Sequence, residues 1–330
     1  MSLYTSLLRP ALFQLDAETA HHQTLHLLSL TPPALIRTFF GAAPRGGARK
    51  VFGVEFPNSV GLAAGMDKNA VALPAWEALG FGYVEIGTIT AEAQPGNPQP
   101  RLFRYAAEQA LINRMGFNND GAAAVARRLN HLRKSGRWPR IPVGVNLGKS
   151  KITPLDEAPK DYLYSFRLLK SFGDYFVINV SSPNTPGLRE LQEVDRLREI
   201  IRVLRKEGPD KPLLVKIAPD LADEQALEIT ALAEAEGLSG LIATNTTLDH
   251  SSVPKEADQQ GGLSGAPLRS RATALLACLK KQTSLPIIGS GGVMDATAAK
   301  EKFDAGASLV QIYTGFIYRG PDLIREIAAL

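Results

Sequence analysis

The chain is poor in the residues that crosslink a fold or hold a metal. It has one cysteine, Cys278, in 330 residues. A lone thiol cannot close an internal disulfide, and an iron–sulfur cluster usually takes four thiolates. Nothing requires an oxidising compartment. Five histidines are present: His21, His22, His26, His131 and His250. None ends a strand-like run, so neither a Ser/His/Asp triad nor a metal set of His with carboxylates is visible. Long apolar runs are also missing. A spanning helix needs about 20 mostly apolar residues. The longest N-terminal stretch free of Lys, Arg, Asp and Glu, Thr19 to Ile36, holds three histidines, Gln23 and two prolines. It lacks the basic start and small-residue cleavage site of a signal peptide. Net charge is only +4, too little to argue for nucleic acid.

What remains is an ordinary globular composition, 45% apolar and 21% charged, which excludes disorder and collagen. The charge is unevenly placed. Residues 1–50 carry Arg9, Arg37, Arg45, Arg49 and Lys50 against Asp16 and Glu18, net +3, so the other 280 residues carry +1. A basic, apolar N-terminal piece suits peripheral contact with an anionic membrane. A solvated face with chance charges accounts for the same numbers.

Residues 1–40 read as short helices, with Leu12 and Leu15, and Leu25 and Leu28, three apart. Thr31-Pro32-Pro33 has the form of an N-cap followed by proline at the first helical positions. Leu35, Ile36, Phe39 and Phe40 follow, too apolar for a helix that faces only water. Gly41 to Lys50 is linker-like in composition. The division expected is therefore residues 1–45, a helical segment, and residues 46–330, a second domain. Within the second, eight strand-like runs alternate with helical stretches: Val60–Ala63, Tyr83–Gly87, Ile141–Asn146, Phe176–Val180, Leu213–Ile217, Leu241–Thr244, Pro286–Gly289 and Leu309–Tyr313. Near-continuous apolar strands mean a parallel sheet covered on both faces. Eight βα units in this length fit an α/β fold of the (β/α)8 TIM-barrel type with an N-terminal helical extension. An open doubly wound sheet is the alternative, though Gly61-Leu-Ala-Ala-Gly65 lacks the dinucleotide fingerprint. The long gap between the second and third runs has the size of a functional insertion. Leu248 to Pro267 reads as irregular.

In such a barrel the strand C-termini carry the active site. Falling there are Ala64, Gly65, Asp67, Lys68 and Asn69; Thr88; Asn146; Asn179, Ser181, Ser182, Asn184 and Thr185; Thr244, Asn245 and Thr246; and the turns Gly289-Ser-Gly-Gly292 and Tyr313-Thr-Gly315. The last two turns resemble a phosphate cradle, since glycine lets backbone N–H groups approach an anion. A tight turn without a ligand would also use glycine. Lys216 lies inside an apolar strand, where a lysine needs an anion or acceptor. It could face an electron-rich ring, form a Schiff base or make a structural ion pair. Lys68 follows a glycine turn, a usual place for a surface lysine. The set suits a planar, phosphate-bearing cofactor and a small anionic substrate.

Five motifs in order resemble the dihydroorotate dehydrogenases: Gly61-Leu-Ala-Ala-Gly-Met-Asp-Lys-Asn69, Asn113-Arg-Met-Gly-Phe-Asn118, Asn179-Val-Ser-Ser-Pro-Asn-Thr-Pro-Gly-Leu-Arg189, Gly262-Leu-Ser-Gly265 and Ile288-Gly-Ser-Gly-Gly292. The similarity runs from Ala11 to Gly315. Ser182 where soluble members have cysteine, together with the N-terminal helices, resembles the membrane-associated, quinone-reducing class 2 enzymes, with no iron–sulfur partner subunit. The resemblance implies oxidation of dihydroorotate to orotate in pyrimidine biosynthesis. It implies FMN, held by Ala64, Gly65, Met66, Asp67, Lys68, Thr88, Asn146, Asn179, Lys216, Thr244, Gly265, Gly292, Tyr313 and Thr314. It places substrate on Lys68, Asn113, Arg114, Met115, Gly116, Phe117, Asn179, Asn184, Asn245 and Thr246. Ser182 would be the base and Thr185 its relay. His21, Arg104 and Tyr313 would line a quinone site in a tunnel built by the N-terminal helices. Removing residues 1–40 is then expected to spare reduction by dihydroorotate and to abolish quinone turnover. The expected location is peripheral, on the cytoplasmic face of a bacterial inner membrane. Another flavin barrel, such as a tRNA dihydrouridine reductase, and a non-redox sugar-phosphate barrel using Lys216 are the alternatives.

Overall fold

The computed structural model describes residues 2–41 and 47–330. The eight apolar runs form one closed parallel barrel in chain order: Val60–Leu62, Tyr83–Ile89, Val143–Leu147, Tyr175–Asn179, Leu213–Ile217, Gly240–Ala243, Ile287–Ser290 and Leu309–Ile312. Closure joins the eighth strand to the first, where Gln311 pairs with Gly61. The helices between strands form the outer ring, and the open-sheet alternative is excluded. Every barrel strand is buried along its whole length, which is why the runs read as apolar rather than alternating.

Successive strand side chains point to opposite faces, and the inward ones decide what fills the barrel. Tyr83 and Tyr175, both fully buried, occupy its lower half. Their register partners are Gly61 and Gly144. A Cβ at either glycine would stand 2.1 Å from the facing tyrosine ring, so the glycines are the complement of the tyrosines. A hairpin, Arg49–Val51 with Val54–Phe56, closes the bottom of the barrel. Its turn residues Phe52 and Gly53 both have positive φ, 42° and 81°, the twist a two-residue hairpin requires. Phe56 plugs the end, 5.2 Å from the Tyr83 ring. Arg49 and Lys50, read as linker, are therefore strand residues. The 45/46 domain boundary lies outside the described residues.

The N-terminal piece holds a π-helical turn at Tyr4–Leu8, then α1 (Arg9–Phe13), α2 (Ala17–Leu30) and α3 (Pro33–Phe40). Asp16 caps α2, accepting from the N–H groups of Glu18 and Thr19 at 3.0 Å. Thr31 is not the N-cap of α3. It ends α2, donating its hydroxyl to Leu27 O at 2.7 Å, and Pro32 takes the N-cap position. Ile36 is buried against the barrel's outer ring, with Leu25, Leu28 and Phe40 packed beside it. Leu27, Leu30 and Phe39 remain more than 60% exposed. No helix of the described residues is long and apolar enough to cross a membrane.

The insertion and the stretch read as irregular are one structure. Leu102–Tyr105 and Ala110–Asn113 form a hairpin, and Gly262–Gly265 adds to its edge, pairing Gly262 with Asn113. Two glycines in four residues hide this strand from propensity. Gly262 is required because a Cβ there would meet Thr246 Oγ1 at 2.0 Å.

Candidate active site

The C-terminal mouth of the barrel opens into a cavity of about 1000 Å³. One side is built from the strand ends. Thr88, Asn179, Lys216 and Thr244 rise from the second, fourth, fifth and sixth strands, and Ala64 and Gly65 follow the first. Lys216 Nζ donates to no acceptor among the described residues, and burial pushes its pKa down while the Glu85 charge partly restores it. Beyond the seventh and eighth strands the wall is backbone: Gly291, Gly292, Tyr313, Thr314 and Gly315, with Gly265 from the added strand. Gly292 has φ of 75°, and a Cβ there would meet the Arg269 backbone at 2.2 Å. Burial raises the Tyr313 phenol to about 12, so it stays neutral.

The other side is made by loops. Asn113, Met115, Gly116 and Phe117 come from the insertion, Ser182 and Asn184 from the fourth loop, and Asn245 and Thr246 from the sixth. Asn184 Nδ2 donates to Asn113 O at 2.9 Å and to its Oδ1 at 3.1 Å. Asn245 Nδ2 donates to Ser181 Oγ at 2.9 Å. Ser182 Oγ accepts the Asn184 N–H at 3.3 Å. Lys68 is no ordinary surface lysine. It lines this cavity and also a smaller one, about 680 Å³, against α2. Burial lowers its pKa to about 8, with Glu18 opposing and Arg101 reinforcing.

Five of the residues expected at the cofactor, substrate and catalytic positions do not line the main cavity. Asp67 is fully buried and faces away, accepting from Val71 N (2.8 Å), Ala72 N (2.9 Å) and Trp76 Nε1 (3.0 Å). It fixes the Val71–Ala72 backbone that leads into the Leu73–Leu79 helix. Met66 packs in the core. Asn146 lies beneath the floor, accepting from Thr88 Oγ1 at 2.6 Å and Asn179 Nδ2 at 3.1 Å. Arg114 lines a separate outer cavity with Asn97, Asn184 and His250. Thr185 is buried, and its Oγ1 has no hydrogen-bond partner among the described residues. On the quinone side, His21 lines the smaller cavity with Leu25, Lys68 and Val71. Burial, then the Lys68 and His22 charges, push its imidazole well below the usual range. Arg104 is elsewhere. It holds the end of α1, donating to Leu12 O at 3.2 Å and to Leu15 O, with its guanidinium 4.5 Å over the Phe13 ring.

Sequence reading missed Gln311, which also lines the cavity. It missed Glu85 below it, which accepts from Gln311 Nε2 (2.6 Å), Asn146 Nδ2 (2.8 Å) and Tyr175 OH (3.3 Å). The signal was there: Glu85 is a lone carboxylate in an apolar strand, and Gln311 lies two residues before Tyr313, on the same face. Among the described residues no three His, Cys, Asp or Glu side chains converge as a metal site.

The family model for dihydroorotate dehydrogenase matches residues 48–329. A Gloeobacter violaceus protein named dihydroorotate dehydrogenase (quinone) is 52% identical over 336 residues, covering 100% of this chain and 94% of its own. A Salinispora arenicola protein of the same name is 52% identical, with 99% of this chain and 98% of that one covered. Among solved structures, the Eimeria tenella enzyme in complex with ferulenol is 39% identical with a TM-score of 0.87, over 94% of this chain and 89% of that one. The family match spans the barrel, the relatives' similarity also takes in the N-terminal helices, and the chain belongs to the dihydroorotate dehydrogenase family.

Proposed function

We propose that the protein oxidises (S)-dihydroorotate to orotate and passes the electrons through FMN to a membrane quinone, a step of pyrimidine (UMP) biosynthesis. The observation that carries this is the two-sided cavity. One wall offers the Lys216 amine, an amide, hydroxyls and glycine turns, and the facing loops offer Lys68, three asparagines and Ser182.

The wall fits FMN. Gly291, Gly292 and Val293 donate their N–H groups to no backbone acceptor among the described residues, which suits a phosphate beside Thr314 and Gly265. Among the described residues Gln311 Oε1 is buried without a partner and Lys216 Nζ donates to no acceptor, so the floor has an unmatched acceptor and an unmatched amine for a hydrogen-bonding ring. Thr88, Asn179 and Thr244 would hold that ring. FMN, when bound, supplies a hydride acceptor that a quinone can reoxidise.

The chain's own residues do the rest. Lys68 and the amides of Asn113, Asn184 and Asn245 would bind the substrate carboxylate and ring. The Asn184 N–H fixes Ser182 Oγ, which would take the C5 proton as C6 gives up hydride. A serine hydroxyl is a weak base, and the unpartnered Thr185 Oγ1 is the available relay. We keep residues 1–45 as a quinone- and membrane-facing segment and 46–330 as the FMN barrel. The small cavity between α2 and Lys68, with His21, would receive the quinone, and exposed Leu27, Leu30 and Phe39 would meet an anionic bilayer peripherally, on the cytoplasmic face of a bacterial membrane.

The test is an anaerobic visible spectrum of the purified protein, followed by dihydroorotate and then a soluble quinone. Bleaching of a flavin band and its return establish both half-reactions. A flavin band that ignores dihydroorotate rejects the substrate, and folded protein that takes up no added FMN rejects the cofactor.

A further inference from the structure

Glu18 lies on α2, a helix whose sequence suggests only lipid and quinone. Its carboxylate is nevertheless buried and faces the insertion that follows the second barrel strand. Arg101, also buried, grips it: Nε donates to Oε1 at 3.0 Å and Oε2 at 3.1 Å, and Nη2 to Oε1 at 2.7 Å. The same guanidinium turns its other edge on a tight loop. Nη1 donates to Pro95 O at 2.5 Å and to Asn97 O at 2.8 Å. A planar fork holding two groups at once transmits position better than a point charge.

Asn97 is where that grip reaches the cavity. Its N–H donates to Met115 O at 3.0 Å. Its Nδ2 donates to Arg114 O at 3.0 Å and to Asn184 O at 3.1 Å. One carboxamide therefore joins the two loops, 113–117 and 182–185, that meet on the loop-built side of the cavity. There is no slack in the joint. Gly116, at φ of 70°, would place a Cβ 2.7 Å from Asn97 Cγ, and Gly96, at φ of 81°, would place one 2.2 Å from Met115 O.

We propose that Glu18, Arg101 and Asn97 are positioning residues for the substrate side of the cavity, so that docking of α2 sets its affinity for the anionic ring. The naming of that ring as orotate rests on the function proposed above. The loop coupling does not. It also means that residues 1–40 are not removable without effect on dihydroorotate.

The experiment uses the full chain and three variants, Glu18→Gln, Asn97→Ala and Asn97→Asp. Hydrogen exchange is followed in the ligand-free protein, and orotate binding by calorimetry. Each variant is expected to speed exchange in residues 182–189 about tenfold or more, with the Arg269–Lys280 helix unchanged. Orotate binding weakens about tenfold, and the Glu18→Gln/Asn97→Ala double variant is no worse than the poorer single. Asn97→Asp, which sets a carboxylate against two carbonyls, exceeds Asn97→Ala. Exchange that rises equally everywhere means lost global stability and overturns the proposal. So does a Glu18→Gln variant with unchanged exchange and binding, or additive effects in the double variant. Loop coupling without orotate binding in the unaltered protein supports the positioning and refutes the substrate.

Discussion

Lys68 gives the most direct test of the substrate side, because its pKa of about 8 lies inside the workable pH range. Burial is the main cause, so the ammonium is poorly solvated and an anion beside it replaces lost water. If only the charged lysine accepts the substrate carboxylate, affinity is full well below pH 8 and falls above it. The apparent Kd doubles at about pH 8 and is about elevenfold higher at pH 9, from the titration of one group. A charge-assisted hydrogen bond is worth about 1.5–3 kcal/mol, so Lys68→Met should weaken binding at pH 7 by about 10–150-fold. The assay is orotate calorimetry from pH 6.5 to 9.5 with both proteins. Ionisation of the ligand's own ring is common to the two and cancels in their ratio. The variant should lose the slope between pH 7 and 9. A flat profile in the unaltered protein, or the same slope in Lys68→Met, refutes the assignment.

Ser182→Ala should keep FMN and orotate binding and slow flavin reduction by dihydroorotate by orders of magnitude; an unchanged single-turnover rate removes Ser182 as the base. Gly144→Ala drives a Cβ into the Tyr175 ring and should cost about 3 kcal/mol or more, above the usual overpacking range for so close a clash. Urea midpoints check this, and Tyr175→Leu should recover part of the loss if the clash is the cause. Replacing Leu27, Leu30 and Phe39 together by serine should leave thermal stability almost unchanged, since all three are exposed, and abolish binding to vesicles containing anionic lipid. Retained vesicle binding places the membrane contact elsewhere.

The barrel was legible because buried parallel strands have a one-line signature, a short apolar run, repeated eight times. The glycine turns after the seventh and eighth strands were legible as part of the cavity wall because they follow strand C-termini. What escaped has a physical reason in each case. The Gly262–Gly265 strand has no propensity to read, because its glycines answer to Thr246 and to the backbone of Gln109, residues distant in sequence. Asp67 sits in a motif of the family, yet its carboxylate serves a helix start and a Trp76 indole, which spacing cannot reveal. Lys68 looked exposed because the turn before it is a surface feature in most chains; α2 covers it here.

Lys216 and Glu85 show why a buried charge had to be read with its surroundings. A lysine inside an apolar strand needs a counter-charge, and the sequence offers Glu85 on another strand without saying how the two meet. They make no ion pair within contact distance among the described residues. Glu85 is instead held by three neutral donors, Gln311, Asn146 and Tyr175. Those bonds leave it out of direct contact with Lys216, whose pKa burial lowers and Glu85 partly restores. A direct pair would have consumed the ammonium's hydrogen-bonding capacity and turned it from the cavity. Separation leaves Nζ without an acceptor at the cavity wall among the described residues. Asn146 then has its place without touching the cavity. It ties Glu85 below to Thr88 and Asn179 above, so Glu85 and the cavity-lining Thr88 hydroxyl and Asn179 amide are held by one side chain.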